Sequence, residues 1–257
     1  MADWNPALYT RYEDERTRPA RDLLARVPLQ SARLAFDLGC GPGNSTELLV
    51  ERFPGADVVG TDNSQAMLDA ARERLPRARF QLSDIASWQA EAPPDLIYAN
   101  AALQWVPDHR ALLPRLLDAL APGGVLAIQM PDNRDEPTHR LMRELAAEPE
   151  FADAIGDYTR LRTDLLGLQG YYDLLAPLAA NLDVWRTAYQ HPLESPRAIV
   201  DWVRATGLRP FVDPLAPELR ERYLSQYEQR IDAAYPARAD GRRLLAFPRL
   251  FIVAVRR

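Results

Sequence analysis

A chain of 257 residues, 47% hydrophobic and 26% charged, is long enough to bury a sizeable core and has the composition of an ordinary globular protein. Its formal net charge of −5 excludes the basic footprint of a nucleic-acid binder, and no apolar run approaches the roughly 18 residues that a membrane helix needs. Cys40 is the only cysteine, which excludes an internal disulfide, and the three histidines add no metal-ligand spacing, so no metal is expected.

The stretch from Met1 to Pro6 has neither the basic nor the apolar region of a signal peptide, and a cytoplasmic protein is expected. All 31 basic residues are arginine, so an anion bound here meets the planar, bidentate guanidinium. Oligomeric state leaves no mark on the sequence.

Five apolar runs of strand length occupy the first half: Leu34–Leu38, Asp57–Thr61, Ala78–Leu82, Asp95–Ala99 and Val125–Met130. Between them, Ser45–Phe53 and Ser64–Leu75 read as helices, each opening on a hydroxyl residue able to cap it. This alternation predicts an α/β fold with an open, doubly wound, mostly parallel sheet. Farther on, residues 132–181 and 192–245 carry helix patterns with many prolines and clustered aromatics. Residues 182–189 alternate as a sixth strand, and 249–255 close the chain as a seventh. One Rossmann-like domain over 1–257 is expected, with a ligand-binding core over about 30–131 and a helical cover inserted among the late strands.

Ligands of open α/β sheets sit outside the carboxyl ends of the strands, and the polar residues fall there. Asp37-Leu-Gly-Cys-Gly-Pro-Gly43 forms the first strand-to-helix turn. Its Gly-x-Gly-x-Gly spacing departs from the Gly-x-Gly-x-x-Gly of a dinucleotide site, which disfavours a nicotinamide oxidoreductase. An acid beside the turn, Asp37, suits a cationic ligand better than a diphosphate. Asp62, at the end of the second strand, stands where it can accept hydrogen bonds from ribose hydroxyls. Asp84 and Asn100 close the third and fourth strands. Cys40 lacks a nearby histidine to activate it as a nucleophile.

With Gly60-Thr-Asp-Asn-Ser64, Ser83-Asp-Ile85 and Leu120-Ala-Pro-Gly-Gly124 added to that turn, the sequence resembles the class I methyltransferases that use S-adenosyl-L-methionine (SAM). The resemblance implies that Gly39 and Gly41 pass the methionine part of SAM and that Asp62 holds the ribose. Asp84 and Ile85 would frame the adenine, Asn63 and Met67 flank the nucleoside, and Asn100 offer backbone to the amino-acid end. On other readings Asp84 only caps a helix and Met67 is only core.

The resemblance extends from Trp4-Asn-Pro-Ala-Leu-Tyr9 through Asn100-Ala-Ala-Leu-Gln-Trp-Val-Pro-Asp-His109 to Thr206-Gly-Leu-Arg-Pro-Phe211 and Phe247-Pro-Arg-Leu-Phe251. There it is similar to the branch of the family that esterifies a small tricarboxylate. A carboxylate is already ionised at neutral pH, so its methylation needs no general base; it needs one oxygen lined up behind the methyl–sulfur bond. Arginines suit a trianion. Arg18, Arg134, Arg209, Arg238 and Arg242 are the candidates, with Tyr9, His191 and Tyr235 as hydrogen-bond partners and Trp105 as a wall of the transfer site. Another small acid, a phenolic or amine acceptor, or a silent SAM-binding module remain the alternatives.

Overall fold

The computed structural model of the chain describes residues 13–157, 164–204 and 207–257. Helix α1 (Glu13–Leu24) precedes a Rossmann-like run of β1 (Leu34–Leu38), α2 (Asn44–Arg52), β2 (Asp57–Asp62), α3 (Gln65–Arg74), β3 (Arg79–Leu82) and β4 (Leu96–Asn100). A 3₁₀ turn (Leu103–Trp105), α4 (His109–Ala119) and β5 (Val125–Pro131) follow. Then come α5 (Pro137–Ala146), α6 (Pro149–Ile155), α7 (Gly167–Leu175) and β6 (Ala179–Leu193). Helices α8 (Pro196–Arg204), α9 (Arg209–Val212) and α10 (Pro217–Ala234) lead to the last strand, β7 (Arg243–Arg256).

The strands form one seven-stranded sheet, as the alternation predicts, in the order β3-β2-β1-β4-β5-β7-β6. Pairing is parallel from β3 to β5, and β7 runs antiparallel to both its neighbours. The order turns at β1 and β4, so the crevice outside their carboxyl ends is the topological switch point.

Two apolar cores cover the two faces. One joins Phe36, Ile97, Ile128 and Ile252 to the leucines of α4 and to Tyr171 and Leu175 of α7. The opposite face joins Ala35, Tyr98, Ala127 and Phe251 to Leu23 of α1 and Leu49 of α2. A third core ties α5, α6, α8, α9 and α10 together around Trp202, Tyr223 and Tyr227. It takes in Leu193, Leu245 and Phe247, so the cover is seated on the ends of β6 and β7.

The late strands are much longer than their alternation predicts. Strand β6 starts at Ala179 and runs to Leu193, and β7 starts at Arg243, each well past the expected limits. Pro192 and Pro248 obscured the pattern. Both lie past the last β5 partner, Pro131↔Arg249, where β7 keeps only β6 as its strand neighbour and a missing N–H is tolerated. The pair thus projects beyond the sheet and becomes the floor of the cover. Helix α2 also corrects its expected cap: Gly43, with φ of 91°, is its N-cap, and the Ser45 hydroxyl turns inward to Asp37. Ser64 does cap α3, accepting from the Met67 N–H at 3.4 Å. Among the described residues no helix is long and apolar enough to cross a membrane.

Candidate active site

The first turn leaves part of its backbone open. Gly39 and Cys40 donate their N–H groups to the Thr61 carbonyl at 2.8 and 2.9 Å, which ties the turn to β2. Gly39 and Gly41 have φ of 72° and 54°, the left-handed region that favours glycine. Their surroundings differ. A Cβ on Gly39 would lie 2.4 Å from Ala102 Cβ, whereas one on Gly41 would meet no described atom within 4 Å. Gly39 is thus a packing glycine, and Gly41 presents open backbone.

Asp62 braces this opening with both oxygens. Its Oδ2 accepts from the Gly41 N–H and its Oδ1 from the Ser64 N–H, each at 2.9 Å. The carboxylate is held rigid while its outer lone pairs stay available for two hydroxyls. Beneath the turn, Asp37 is fully buried, and its Oδ2 accepts from the Ser45 and Thr46 hydroxyls at 2.7 Å each. Its Oδ1 has no hydrogen-bond partner among the described residues, and neither has the Asn100 Oδ1 at the end of β4. Orphaned acceptors beside open glycine backbone fit a ligand that brings an ammonium group, as SAM does.

Burial pushes the Asp37 pKa up from 3.8 to about 6, against the pull of the Thr46 and Ser45 hydroxyls. Between those values the folded chain holds a proton that the unfolded chain has lost. Stability therefore declines as pH rises through that window, and Asp37→Asn should abolish the decline. A cationic ligand favours the ionised form. SAM affinity is accordingly expected to rise as pH rises through about 6. Calorimetric titrations at pH 5 and pH 7 should show this in the parent chain and a flat response in Asp37→Asn.

The other residues expected at the cofactor are distributed around the same end. Ile85 is buried, and its Cδ1 lies 3.4 Å from where a Gly39 Cβ would be. Met67 is buried on α3, and Asn63 is exposed. Asp84 is exposed and its Oδ1 accepts from the Ala86 N–H at 2.9 Å across a turn, with no helix after it to cap. Cys40 is buried, and burial with Asp37 and Asp62 nearby drives its thiol pKa far upward, so it is no nucleophile.

Beyond Asn100 the chain takes a strained turn: Ala101 has φ of 54° and donates its N–H to the Gln129 carbonyl at 2.9 Å. The 3₁₀ turn that follows places Trp105 at 39% exposure. His109 holds this turn, with Nε2 2.8 Å from the Leu103 carbonyl and Nδ1 2.6 Å from the Tyr171 hydroxyl of α7. Donation from Nε2 to the carbonyl and from the hydroxyl to Nδ1 satisfies a neutral ring. Burial lowers the His109 pKa, in keeping with that state. This brace leaves no mark in the sequence, because His109 and Tyr171 are 62 residues apart.

The expected substrate residues spread over several places. Tyr9 lies outside the described residues. Arg18 on α1 stands 5.1 Å over the Tyr189 ring and 3.9 Å from Asp22. Arg134 is ion-paired with Asp164. Arg209 opens α9, with its Nε 3.4 Å from Asp213 Oδ2. Arg238 and Arg242 share an exposed turn ahead of β7, joined by a 2.8 Å bond from the Arg238 N–H to the Arg242 carbonyl.

His191 lies in β6 among rings, with its centroid 4.5 Å from Trp202 and 6.2 Å from Phe247. Burial, then the charges of Arg249 and Arg18, lower its pKa to about 4, so it is neutral at pH 7. Tyr235 is buried and its hydroxyl accepts from the Thr138 N–H at 3.3 Å. Two buried polar side chains lie outside the expected set: Gln129 on β5, with no exposure, and Arg249 on β7, at 6%. The signal was a glutamine inside the otherwise apolar run Val125–Met130. No cluster of three metal-ligating side chains occurs among the described residues.

Comparison with known proteins gives the family and the fold. Residues 35–124 match the family model described as a methyltransferase domain. A trans-aconitate 2-methyltransferase of Variovorax paradoxus is 71% identical over 255 residues, 99% of this chain and 98% of its own. That of Paracidovorax citrulli is 66% identical over 258 residues, covering 100% and 99%. The YcgJ protein of Bacillus subtilis, at 13% identity, superposes with a TM-score of 0.60 over 93% of this chain and 98% of its own, a likeness of fold alone.

Proposed function

This chain belongs to the trans-aconitate 2-methyltransferases, a family of SAM-dependent enzymes, and from that premise we propose that it esterifies one carboxylate of trans-aconitate. The product is the monomethyl ester, with S-adenosylhomocysteine released. The observation that carries the reading is identity above 65% to both relatives over the whole chain, cover included.

SAM supplies an electrophilic methyl on a sulfonium. The rest falls to this chain's own residues. Asp62 holds the ribose hydroxyls, Gly39 and Gly41 pass the methionine part, Asn63, Met67, Asp84 and Ile85 flank the nucleoside, and Asp37 and Asn100 receive the amino-acid end. An ionised carboxylate oxygen attacks without a base, so acceleration comes from alignment along the methyl–sulfur axis and from exclusion of water. Trp105 walls the transfer site. Arginines on the cover and α1 neutralise the remaining carboxylates: Arg18, Arg134, Arg209, Arg238 and Arg242, with Tyr9 and neutral His191 as hydrogen-bond partners. The acceptor is a small tricarboxylate, not a nucleic acid or a membrane, and the setting is the cytoplasm.

Arg209 tests the clamp. Lysine keeps the charge but loses the planar fork that meets a carboxylate with two parallel bonds. Arg209→Lys is expected to raise KM for trans-aconitate about tenfold and leave SAM affinity unchanged, one lost bond to a charged group being worth about 1.5–3 kcal/mol. Normal kinetics would move the clamp off Arg209. Mass spectrometry of the product should show a single added methyl.

A further inference from the structure

A row of polar side chains crosses one face of the sheet, one on each of four adjacent strands: Asp37 on β1, Asn100 on β4, Gln129 on β5 and Arg249 on β7. Alternation fixes the shared face. Each stands two residues from a member of the core beneath α1 and α2, namely Ala35, Tyr98, Ala127 and Phe251.

Register sets the spacing. Asn100 is directly opposite Gln129. Gln129 faces Phe251 and Arg249 faces Pro131, so Gln129 and Arg249 are diagonal neighbours, about 7–8 Å apart and within joint reach of one small group. They sit where β5 ends and the β6–β7 pair goes on alone beneath the cover.

Gln129 has no solvent exposure, and neither its Nε2 nor its Oε1 has a hydrogen-bond partner among the described residues. A buried amide in that state destabilises the fold, and native cores keep one where it serves something else. Beside it, the Arg249 guanidinium lies 4.7 Å from the centre of the Phe247 ring. The first half of the row, Asp37 and Asn100, belongs to the cofactor's amino-acid end. The second half continues toward the cover.

We propose that Gln129 and Arg249 grip one carboxylate of the acceptor and so select which acids are methylated. The guanidinium meets the carboxylate with paired N–H donors, and the glutamine adds an Nε2–H donor, leaving Oε1 for a bridging water. Holding one carboxylate beyond Asn100 leaves another at the methyl. The inference rests on the reading of the acceptor as a small carboxylate.

Gln129→Leu tests it, with the amide removed and an apolar side chain of comparable bulk in its place. KM for trans-aconitate is expected to rise about tenfold or more, with the Kd for S-adenosylhomocysteine within about twofold of the parent. The melting temperature of the ligand-free variant should hold or rise by about 2–4 °C, because an unsatisfied buried group has gone. A structural amide would instead lower it. Unchanged KM in a folded Gln129→Leu overturns the proposal, as does a lowered melting temperature with KM unmoved. Should Gln129→Leu not fold, Arg249→Lys bears the test, with the same expected rise in KM and the same overturning result. The function reading fails separately. If the parent chain ignores trans-aconitate but methylates another carboxylate, the KM comparison is made on that acid; if it methylates only a neutral acceptor, both fall.

Discussion

Asp62→Ala is expected to weaken SAM binding by about 30- to 1000-fold while the protein stays folded. Two hydrogen bonds from ribose hydroxyls to a charged acceptor are worth about 1.5–3 kcal/mol each, and a net loss of about 2–4 kcal/mol leaves room for water to substitute in part. The same carboxylate fixes the Gly41 and Ser64 N–H groups at 2.9 Å, so its removal also loosens the turn that presents the backbone. Asp62→Asn disturbs both roles. An amide keeps one acceptor oxygen but must turn its nitrogen toward one of those N–H donors, so it should lose most of the affinity as well. Calorimetry with SAM measures both, and parent-like affinity in a folded Asp62→Ala would remove this residue from the cofactor.

Gly39→Ala should fail through packing before any effect on binding is read. Its φ of 72° is strained for any L side chain, and the new methyl would lie 2.4 Å from Ala102 Cβ, an atom fixed to backbone. Left-handed backbone costs about 1–2 kcal/mol and overpacking about 1–3 kcal/mol, together about 2–5 kcal/mol by chemical denaturation. Gly41→Ala is the contrast. It carries the strain without the clash, its added methyl projecting into space with no described atom within 4 Å. It should lose only the strain, about 1–2 kcal/mol, and bind SAM poorly. Equal stability losses in the two variants would contradict the division of labour drawn between these glycines.

How much of this is legible in the sequence depends on how local the determinants are. The nucleotide end could be read because each element carries its own marker: an apolar run, then an acid, an amide or glycines within a few residues of the strand's end. Asp37, Asp62 and Asn100 stand at those ends in space as in sequence. Even there, the hydroxyl of Ser45 was misplaced as a cap, because its partner Asp37 lies eight residues back.

The substrate end is tertiary throughout. The seating of the cover on β6 and β7 is hidden by Pro192 and Pro248, and the residues that make it, Leu193, Leu245 and Phe247, lie beyond the expected strand limits. His191 looks like a free ligand in sequence, but its partners Trp202 and Phe247 arrive from α8 and β7. Gln129 looks like one strand residue among many until its register beside Asn100 and its full burial are known. Arginine is the only basic residue type in the chain, so composition could not single out Arg249.

The most direct measurement is transfer of labelled methyl from SAM by the purified chain, across a panel of trans-aconitate, cis-aconitate, isocitrate, citrate, dicarboxylates and neutral phenols or amines. The account predicts the highest kcat/KM for trans-aconitate, a base-labile ester as product, and activity that persists in chelator. A neutral phenol or amine methylated faster than every carboxylate would contradict it.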